Sequence, residues 1–407
     1  MRPNNLLSAR NNAAKVTVAV NKEVERKHTS GPFSTPPFLD THCSPVGSAP
    51  KPDGSVRLIL DLSSPRGDAV NEHINQEDFA CSYSNFDDAV NIVRKLGRGA
   101  WLAKADIKHA FRLCPVRQEQ WHLLCYSWHG KYYVDTRLPF GSRSSPYIFN
   151  AFADLLAWVL VHVAGIPFLI HYLDDFFFAN KDQQSCQENR SHLCSLWEAL
   201  GVPIAKDKLE GPTQTITYLG IEMDSRDMTI RLPKEKLQKL KKALKDWSNK
   251  KKATKRDLLS LIGFLSFACK VVKPGRMFLR RLIDLSTTVS SNHFFVTINA
   301  EARLDLQWWE EFLPEWNGIE IIQPDPVPSS QLRFWTDASD LGFGCVFGDK
   351  WIMSHWLHGW GEHHINIREL FAIWVAIVTW GEGFEKYASS NSHGSSFHDP
   401  GLEHGFL

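Results

Sequence analysis

Two adjacent carboxylates inside an apolar run constrain this chain more than any other feature. Residues 170–179 read Ile-His-Tyr-Leu-Asp-Asp-Phe-Phe-Phe-Ala, so Asp174 and Asp175 interrupt a stretch of aromatic and aliphatic side chains. The pattern predicts two short strands meeting in a tight turn with the acids at its tip. Asp106, 68 residues upstream of Asp174, follows a second apolar segment, Ala100-Trp101-Leu102-Ala103, as a carboxylate at the end of another strand. Side by side, these strands would gather three acids at one point. Carboxylates that close raise one another's pKa, an arrangement that is sensible chiefly around divalent cations. Magnesium takes a few carboxylates plus substrate phosphates, and a two-metal site holds its ions roughly 3.5–4 Å apart for in-line phosphoryl displacement. Taken alone, an Asp-Asp pair is more often a solvated turn; its company in the rest of the chain shifts the balance.

The 407 residues are enough for two or three domains, and 43% hydrophobic with 22% charged residues is ordinary for a globular protein. A net charge of +1 hides a strong asymmetry: residues 231–281 hold 17 Lys and Arg against three acids, Glu235, Asp246 and Asp257. Eight scattered cysteines form no Cys-x-x-Cys pair and no His cluster at zinc spacing, which suits free thiols in a reducing compartment and indicates no structural metal. Residues 1–30 lack the apolar core of a secretory signal. The membrane-like stretch 151–173 contains Asp154, His162, Gly165, Pro167 and His171, and fits a buried helix followed by a strand better than a membrane span. An intracellular place, cytoplasmic or nuclear, follows without a choice between the two, because Lys250-Lys251-Lys252 with Lys255-Arg256 reads equally as an import signal or as ordinary surface.

No internal repeat is visible. Pro, Ser and Gly make residues 31–52 an extended entry segment. Val56, Leu58, Leu60 and Leu62 alternate as in a strand, and Phe86, Ala89, Val90 and Val93 have helical spacing over 86–96. Strands are expected over 101–105, 121–128 and 131–135. A helix should run from Ser145, as N-cap with Pro146 in the first turn, to about 163, and another over 185–200. Mixed strands and helices around a central hairpin make the class α+β. Beyond Arg231 the character turns helical: Leu237, Leu240, Ala243, Leu244 and Trp247 form one apolar face among lysines, and 255–272 forms a second helix. The lysines are either a solvated face or a grip on phosphate backbones, and Arg276, Arg280 and Arg281 favour the grip. A last unit starts near 332, with Asp337 at a strand end, Gly342 and Gly344 in a second strand, a third strand over 351–356, and Glu369 on a helix over 366–380. The tail after Gly381 turns to Ser, His and Gly and reads as unstructured.

Five motifs then stand in order: Lys51-Pro-Asp-Gly-Ser-Val-Arg57 with Asp61, Ala105-Asp106-Ile-Lys-His-Ala-Phe111, Leu138-Pro-Phe-Gly141 through Ser145-Pro146, Tyr172-Leu-Asp-Asp175, and Tyr218-Leu-Gly220. In this order they resemble retroelement reverse transcriptases, over about residues 31–380. Ser44-Pro45-Val-Gly47, Asp61-Leu-Ser-Ser-Pro65, Val70-Asn71, Gly263-Phe-Leu-Ser-Phe-Ala-Cys-Lys270 and Pro274-Gly275-Arg276 look like DIRS-type retrotransposons, which encode a tyrosine recombinase elsewhere. The resemblance implies a right-hand polymerase of fingers, palm and thumb followed by a partial RNase H-like α/β domain. Its divisions would be an N-terminal segment 1–30, interleaved fingers and palm 31–225, basic thumb 226–290, connection 291–330, partial RNase H-like domain 331–380 and tail 381–407.

By motif, Asp106 and Asp174 would be the main ligands of two Mg2+ ions, with Mn2+ as a substitute, and Asp175 a less direct third acid. Lys51 and Arg57 look like finger residues that grip the triphosphate. Phe111 would stack under the incoming sugar and collide with a 2′-hydroxyl, a role compatible with plain core packing, so that dNTPs are preferred. Phe140, Gly141 and Arg143 would shape the pocket against base and template. Lys208 is a candidate to protonate the leaving pyrophosphate, with Lys206 equally placed. Tyr218, Leu219 and Gly220 would belong to the primer grip. The implied partners are an RNA template, a DNA or RNA primer, their RNA–DNA hybrid and dNTPs, with no membrane, and a recombinase or structural protein of the element beside them.

Phe334-Trp-Thr-Asp337-Ala-Ser339 and Arg368-Glu369-Leu370 look like the opening half of an RNase H domain. No Asp-Asn on a following strand is visible, so the exposed sheet edge and missing acids imply weak or lost RNase H activity. Three functions compete. An RNA-directed DNA polymerase is supported by the acids and Phe111. An RNA-directed RNA polymerase would need room and a polar partner at the 2′-hydroxyl. A non-catalytic nucleic-acid-binding remnant of a decayed element would keep only the grip of its thumb.

Overall fold

The computed structural model describes residues 4–51, 53–316, 319–321 and 332–391, and the chain divides into two compact units, Met1–Ile322 and Gln323–Leu407. At the centre of the first lies a four-stranded antiparallel sheet in the order Glu210–Thr213, Trp101–Asp106, Asp175–Asn180, Leu169–Tyr172. Phe176, Phe177, Phe178 and Ala179 on one strand are all fully buried. Because side chains alternate across a sheet, Phe176 and Phe178 enter a core with the helices Ser145–His162 and Gln183–Ala199, while Phe177 and Ala179 enter another with the helix Phe86–Leu96. A strand covered on both faces reads as a continuous apolar run, which is why the acids stood out in it.

Helix Phe86–Leu96 begins at a capping box, in which Asn85 accepts from the Asp87 N–H and Asp88 accepts from the Asn85 N–H. It ends at Gly97, whose φ of 83° suits glycine. Helix Ser145–His162 corrects one expectation: its N-cap is Ser144, and the Ser145 hydroxyl instead donates to the Pro139 carbonyl at 2.9 Å. The strand expected over 121–128 starts only at Cys125. Residues Gln118–Leu123 form a 3-10 turn, in which the Trp121 indole donates to the Val116 carbonyl.

The hairpin Val46–Pro50 with Val56–Leu60 forms the front of the expected fingers, beside a second four-stranded sheet that includes Lys131–Asp135 and Cys125–Trp128. Residues 1–30 are not a separate segment. Helices Leu7–Asn11 and Ala13–Glu25 bury Ala9, Val16 and Val20 against Val46, Val56, Leu60 and Leu62, supplying the cover this hairpin needs. The division at 291 is corrected for the same reason. Helix Ala300–Trp316 sends Ala302, Leu306, Trp309 and Leu313 into the core formed by helices Lys234–Ser248, Lys255–Ala268 and Arg280–Thr287, so these four helices form one packed group across the expected boundary. Strand Ile319–Ile321 closes onto Thr229–Arg231.

The second unit has three antiparallel strands, Phe334–Ala338, Gly342–Phe347 and Lys350–His355, with helix Ile365–Asn391 packed on the first two. The expected end of this helix at 380 is corrected. It continues to Asn391 because Gly381 and Gly383 cost only about 1 kcal/mol each within a run of otherwise acceptable helix formers. The remainder of the expected tail, 392–407, lies outside the described residues. Among the described residues no helix is long and apolar enough to cross a membrane.

Candidate active site

Asp106 and Asp175 are direct partners across the strand pair, and Tyr172 pairs with Asp175 across the hairpin. Between them Leu173 turns with φ of 52°, a left-handed conformation uncommon for a branched side chain. The Ile107 N–H donates to the Asp174 carbonyl at 3.0 Å, tying the turn to the end of the neighbouring strand. On the other side of that strand, the Ala205 N–H donates to the Asp106 carbonyl at 2.9 Å, which brings up the loop that carries Lys208. Backbone register therefore brings the three acids to the same end of the sheet.

Their electrostatics are those of a site short of positive charge. Burial, and then the charge of Asp106, push the Asp174 carboxyl above its ordinary range. Burial with the charges of Asp106 and Asp174 lifts Asp175 to about 6. The Lys208 ammonium lies 2.6 Å from Asp106 Oδ2. Burial works against that ammonium, but the hydrogen bond and the three carboxylates raise its pKa above the usual lysine value. Among the described residues Lys208, and not the exposed Lys206, is the lysine in contact with these acids.

Among the described residues no three carboxylates, thiols or imidazoles converge closely enough to form a ready metal centre. The donor set nevertheless fits a hard divalent cation: three carboxylates on adjoining backbone, two of them, Asp174 and Asp175, raised in pKa by burial and then by neighbouring acid charge, with an ammonium standing in for part of the missing charge.

Phe111, on a short 3-10 turn five residues after Asp106, stands with its ring 5.0 Å from that of Phe140 and 5.5 Å from that of Phe149. The Arg57 guanidinium carbon lies 4.7 Å over the Phe140 ring, so the finger hairpin and the pocket residues form one surface. Leu60 N–H donates to the Phe140 carbonyl at 2.9 Å. Gly141 has φ of 123°, and a Cβ there would run into the Leu60 carbonyl, so only glycine lets these two backbones meet. Lys51 is exposed beside the hairpin turn.

Asn71 has no role that its sequence motif assigns. Asn71 is buried and staples the loop: its amide donates to the Gly141 carbonyl and to Ser63 Oγ, both at 2.8 Å, while its oxygen accepts from the Arg143 N–H at 2.9 Å. The Arg143 guanidinium in turn donates to the Asn71 carbonyl at 2.9 Å. Neither periodicity nor charge marks a buried asparagine in a loop.

Tyr218, Leu219 and Gly220 form a tight hairpin between Thr215–Tyr218 and Ile221–Asp224. Positive φ at both Leu219 and Gly220 matches the two-residue turn that strand twist favours. Only the tip is available to a ligand. Tyr218 is buried, its ring tilted against that of Phe177 with centroids 5.1 Å apart, and its hydroxyl lies 3.4 Å from the Asp175 carbonyl. Lys236 of helix Lys234–Ser248 donates to the Gly220 carbonyl at 3.0 Å and lies 4.0 Å over the Phe267 ring.

In the second unit, alternation along Phe334–Ala338 puts Asp337 on the exposed side with Trp335, while Phe334 packs with Phe343, Phe347, Ala372 and Ala376. Glu369 is half-buried on the helix. Its neighbour Arg368 is buried and donates to the Ser339 carbonyl at 3.0 Å.

Residues 49–223, which include the three acids, Lys51, Arg57, Phe111, Lys208 and the 218–220 turn, match the family model of reverse transcriptases, RNA-dependent DNA polymerases. Over these residues the chain is similar to reverse transcriptases. The Pro-Pol polyprotein of Simian foamy virus type 1 is 28% identical to it over 313 residues, 73% of this chain and 24% of that polyprotein. The transposon Tf2-3 polyprotein of Schizosaccharomyces pombe is 19% identical over 342 residues, 82% of this chain and 22% of the polyprotein. Among solved structures, the foamy viral protease-reverse transcriptase dRH in complex with double-stranded DNA matches with a TM-score of 0.60 at 18% identity, covering 94% of this chain and 62% of that one. The foamy viral protease-reverse transcriptase in complex with an RNA/DNA hybrid matches at 0.57 and 18% identity, over 93% of this chain and 47% of that one. These likenesses give the chain the polymerase fold of those structures. The chain spans about a quarter of the length of the polyproteins it matches.

Proposed function

We propose that this chain is an RNA-directed DNA polymerase that adds dNTPs to a primer 3′-hydroxyl on an RNA template, as part of a DIRS-type retrotransposon. The observation that carries this reading is the register of Asp106 against Asp175, with Asp174 on the hairpin turn just before Asp175 and Lys208 alongside. Asp106, Asp174 and Asp175 would hold two Mg2+ ions, or Mn2+ in their place. When bound, such ions activate the attacking hydroxyl and stabilise the pyrophosphate leaving group.

The remaining tasks belong to the chain's own side chains. Lys51 and Arg57 extend from the finger hairpin to bind triphosphate oxygens, Arg57 through its planar fork. Phe111, held by Phe140 and Phe149, closes the space a ribose 2′-hydroxyl would need. Gly141, Asn71 and Arg143 fix the pocket wall, and Lys208 holds a proton within reach of the acids. The 219–220 tip supports the primer, and the basic thumb grips the hybrid through its phosphates.

RNase H activity is weak or lost in this reading. Among the described residues the first strand of the second unit pairs with Gly342–Phe347, and Asp337 and Glu369 are the acids this unit would contribute. Primer extension on poly(rA) with oligo(dT) and Mg2+ tests the reading. Extension with dTTP but not UTP, abolished by Asp174→Asn, is expected. No extension, with the hybrid still tightly bound, would make the chain a binding remnant.

A further inference from the structure

Two ionisable residues in the apolar stretch 151–173, Asp154 and His171, have no part in the reaction described above, yet the fold brings them together beneath the acid-bearing turn. His171 is buried on strand Leu169–Tyr172, its ring stacked on Phe176 with centroids 5.0 Å apart. Its Nε2 lies 2.9 Å from Asp154 Oδ1, and its Nδ1 lies 3.2 Å from the Leu173 carbonyl oxygen. Asp154 Oδ2 accepts in turn from Asn150 Nδ2 at 2.9 Å, one turn earlier on helix Ser145–His162. A carboxylate and a carbonyl only accept, so the imidazole serves both as a donor: either tautomer makes one of the two bonds, and the imidazolium makes both.

The Leu173 carbonyl belongs to the peptide that joins Leu173 to Asp174. That peptide follows a residue at φ of 52°, a conformation that needs outside support. The next peptide is held from the opposite side by the Ile107 N–H on the Asp174 carbonyl. The turn is thus clamped at successive carbonyls, one from the helix layer through His171 and one from the neighbouring strand.

We propose that Asn150, Asp154 and His171 are positioning residues that act through the Leu173 carbonyl to hold Asp174 in the orientation a divalent cation requires. This rests on the polymerase reading, since it assigns Asp174 to the metal. Outer partners that orient ligands typically cost 10–100-fold in metal affinity or activity when removed.

The test uses the full chain with His171→Phe, which keeps a ring against Phe176 but no donor, His171→Gln, which keeps one donor, and Asp154→Asn. Metal affinity is read without catalysis, by Tb3+ luminescence and its displacement by Mg2+, beside hybrid binding, melting midpoint and primer extension. His171→Phe should weaken metal binding by about 10–100-fold with hybrid affinity within about twofold, and His171→Gln should recover most of that loss. Unchanged metal affinity in His171→Phe, or a loss that His171→Gln leaves unrepaired, overturns the proposal and reduces His171 to packing. Should His171→Phe fail to fold, Asp154→Asn decides at a carboxylate 61% exposed, where folding is not at stake: wild-type metal affinity there overturns the relay. Failure of the wild type to extend any primer would sink the polymerase reading, while the luminescence titration still judges the clamp.

Discussion

The two units each place an aspartate at the end of a β-strand, and they treat it in opposite ways. Asp106 is buried in a sheet covered on both faces, next to a strand whose Phe176, Phe177 and Phe178 are inaccessible to solvent. Asp337 is exposed, on a sheet covered by one helix, where Trp335, Trp351 and Met353 face outward. Enclosure changes what neighbouring acids cost. It lowers the local dielectric, so that like charges become costly and a cation correspondingly valuable, and it fixes the backbone that aims them. The second unit has the residue types without the enclosure.

The largest effect should come from breaking the enclosed site. Asp174→Asn is expected to lower extension by at least about a thousandfold, several kcal/mol at 1.36 kcal/mol per decade, with hybrid affinity within about twofold. Single-turnover extension and filter binding measure the two. The contrast itself fails if the wild type efficiently cleaves the labelled RNA strand of a hybrid and Asp337→Asn abolishes that cleavage, because the exposed site would then be competent.

Packing gives the next contrast. Phe177→Ala removes a fully buried ring shared with Tyr218 and should destabilise the first unit by about 3–5 kcal/mol. Trp335→Ala removes a ring that is 53% exposed, and should change stability by less than about 0.5 kcal/mol. Urea unfolding of both variants followed by circular dichroism gives the comparison, and similar losses would mean that the outer face of the second sheet is covered after all.

Within the pocket, Phe111→Ala should relax sugar choice. The ratio of dTTP to UTP incorporation is expected to fall by about a hundredfold, the scale on which an apolar wall discriminates a single hydroxyl. Unchanged selectivity in kcat/KM would assign Phe111 to packing against Phe140 and Phe149 alone.

How much of this was legible in the sequence follows from the same physics. Charges within an apolar run are conspicuous, so the sequence points to Asp106, Asp174 and Asp175 at strand ends and a hairpin turn, and the structure puts them there. The capped helix 86–96 was likewise visible through its spacing. What escaped was assembly. Nothing local says that Val16 and Val20 cover the finger hairpin or that Trp309 joins the core of the helices before it, because those contacts join segments far apart in the chain. Asn71 escaped because a loop amide acquires its role only from the carbonyls brought to it. Between Lys206 and Lys208 the sequence offered no choice; the hydrogen bond between the Ala205 N–H and the Asp106 carbonyl made it.

The smallest effect tests whether enclosure reaches the turn just beyond Asp106. His109 sits at φ of 64°, with its ring 5.8 Å from that of His28. Burial first, and the charge of Arg26 second, lower its pKa to about 4, and burial lowers that of His28 as well. In the unfolded chain His109 takes up its proton near the ordinary 6.5, so between that pH and about 4 the unfolded state binds more protons. Its contribution to stability is therefore complete above pH 6.5 and is lost as pH falls toward 4. Asp175 works in the opposite sense: its raised value adds stability as pH falls through about 6, so the histidine must be read by difference. His109→Asn tolerates the left-handed backbone and should flatten the loss of stability between pH 6.5 and 4.5 in part, with His28 keeping the remainder. Urea midpoints for both proteins across that range give the difference. Parallel curves would mean that His109 meets water as freely as a surface residue, and that the enclosure ends at the acids.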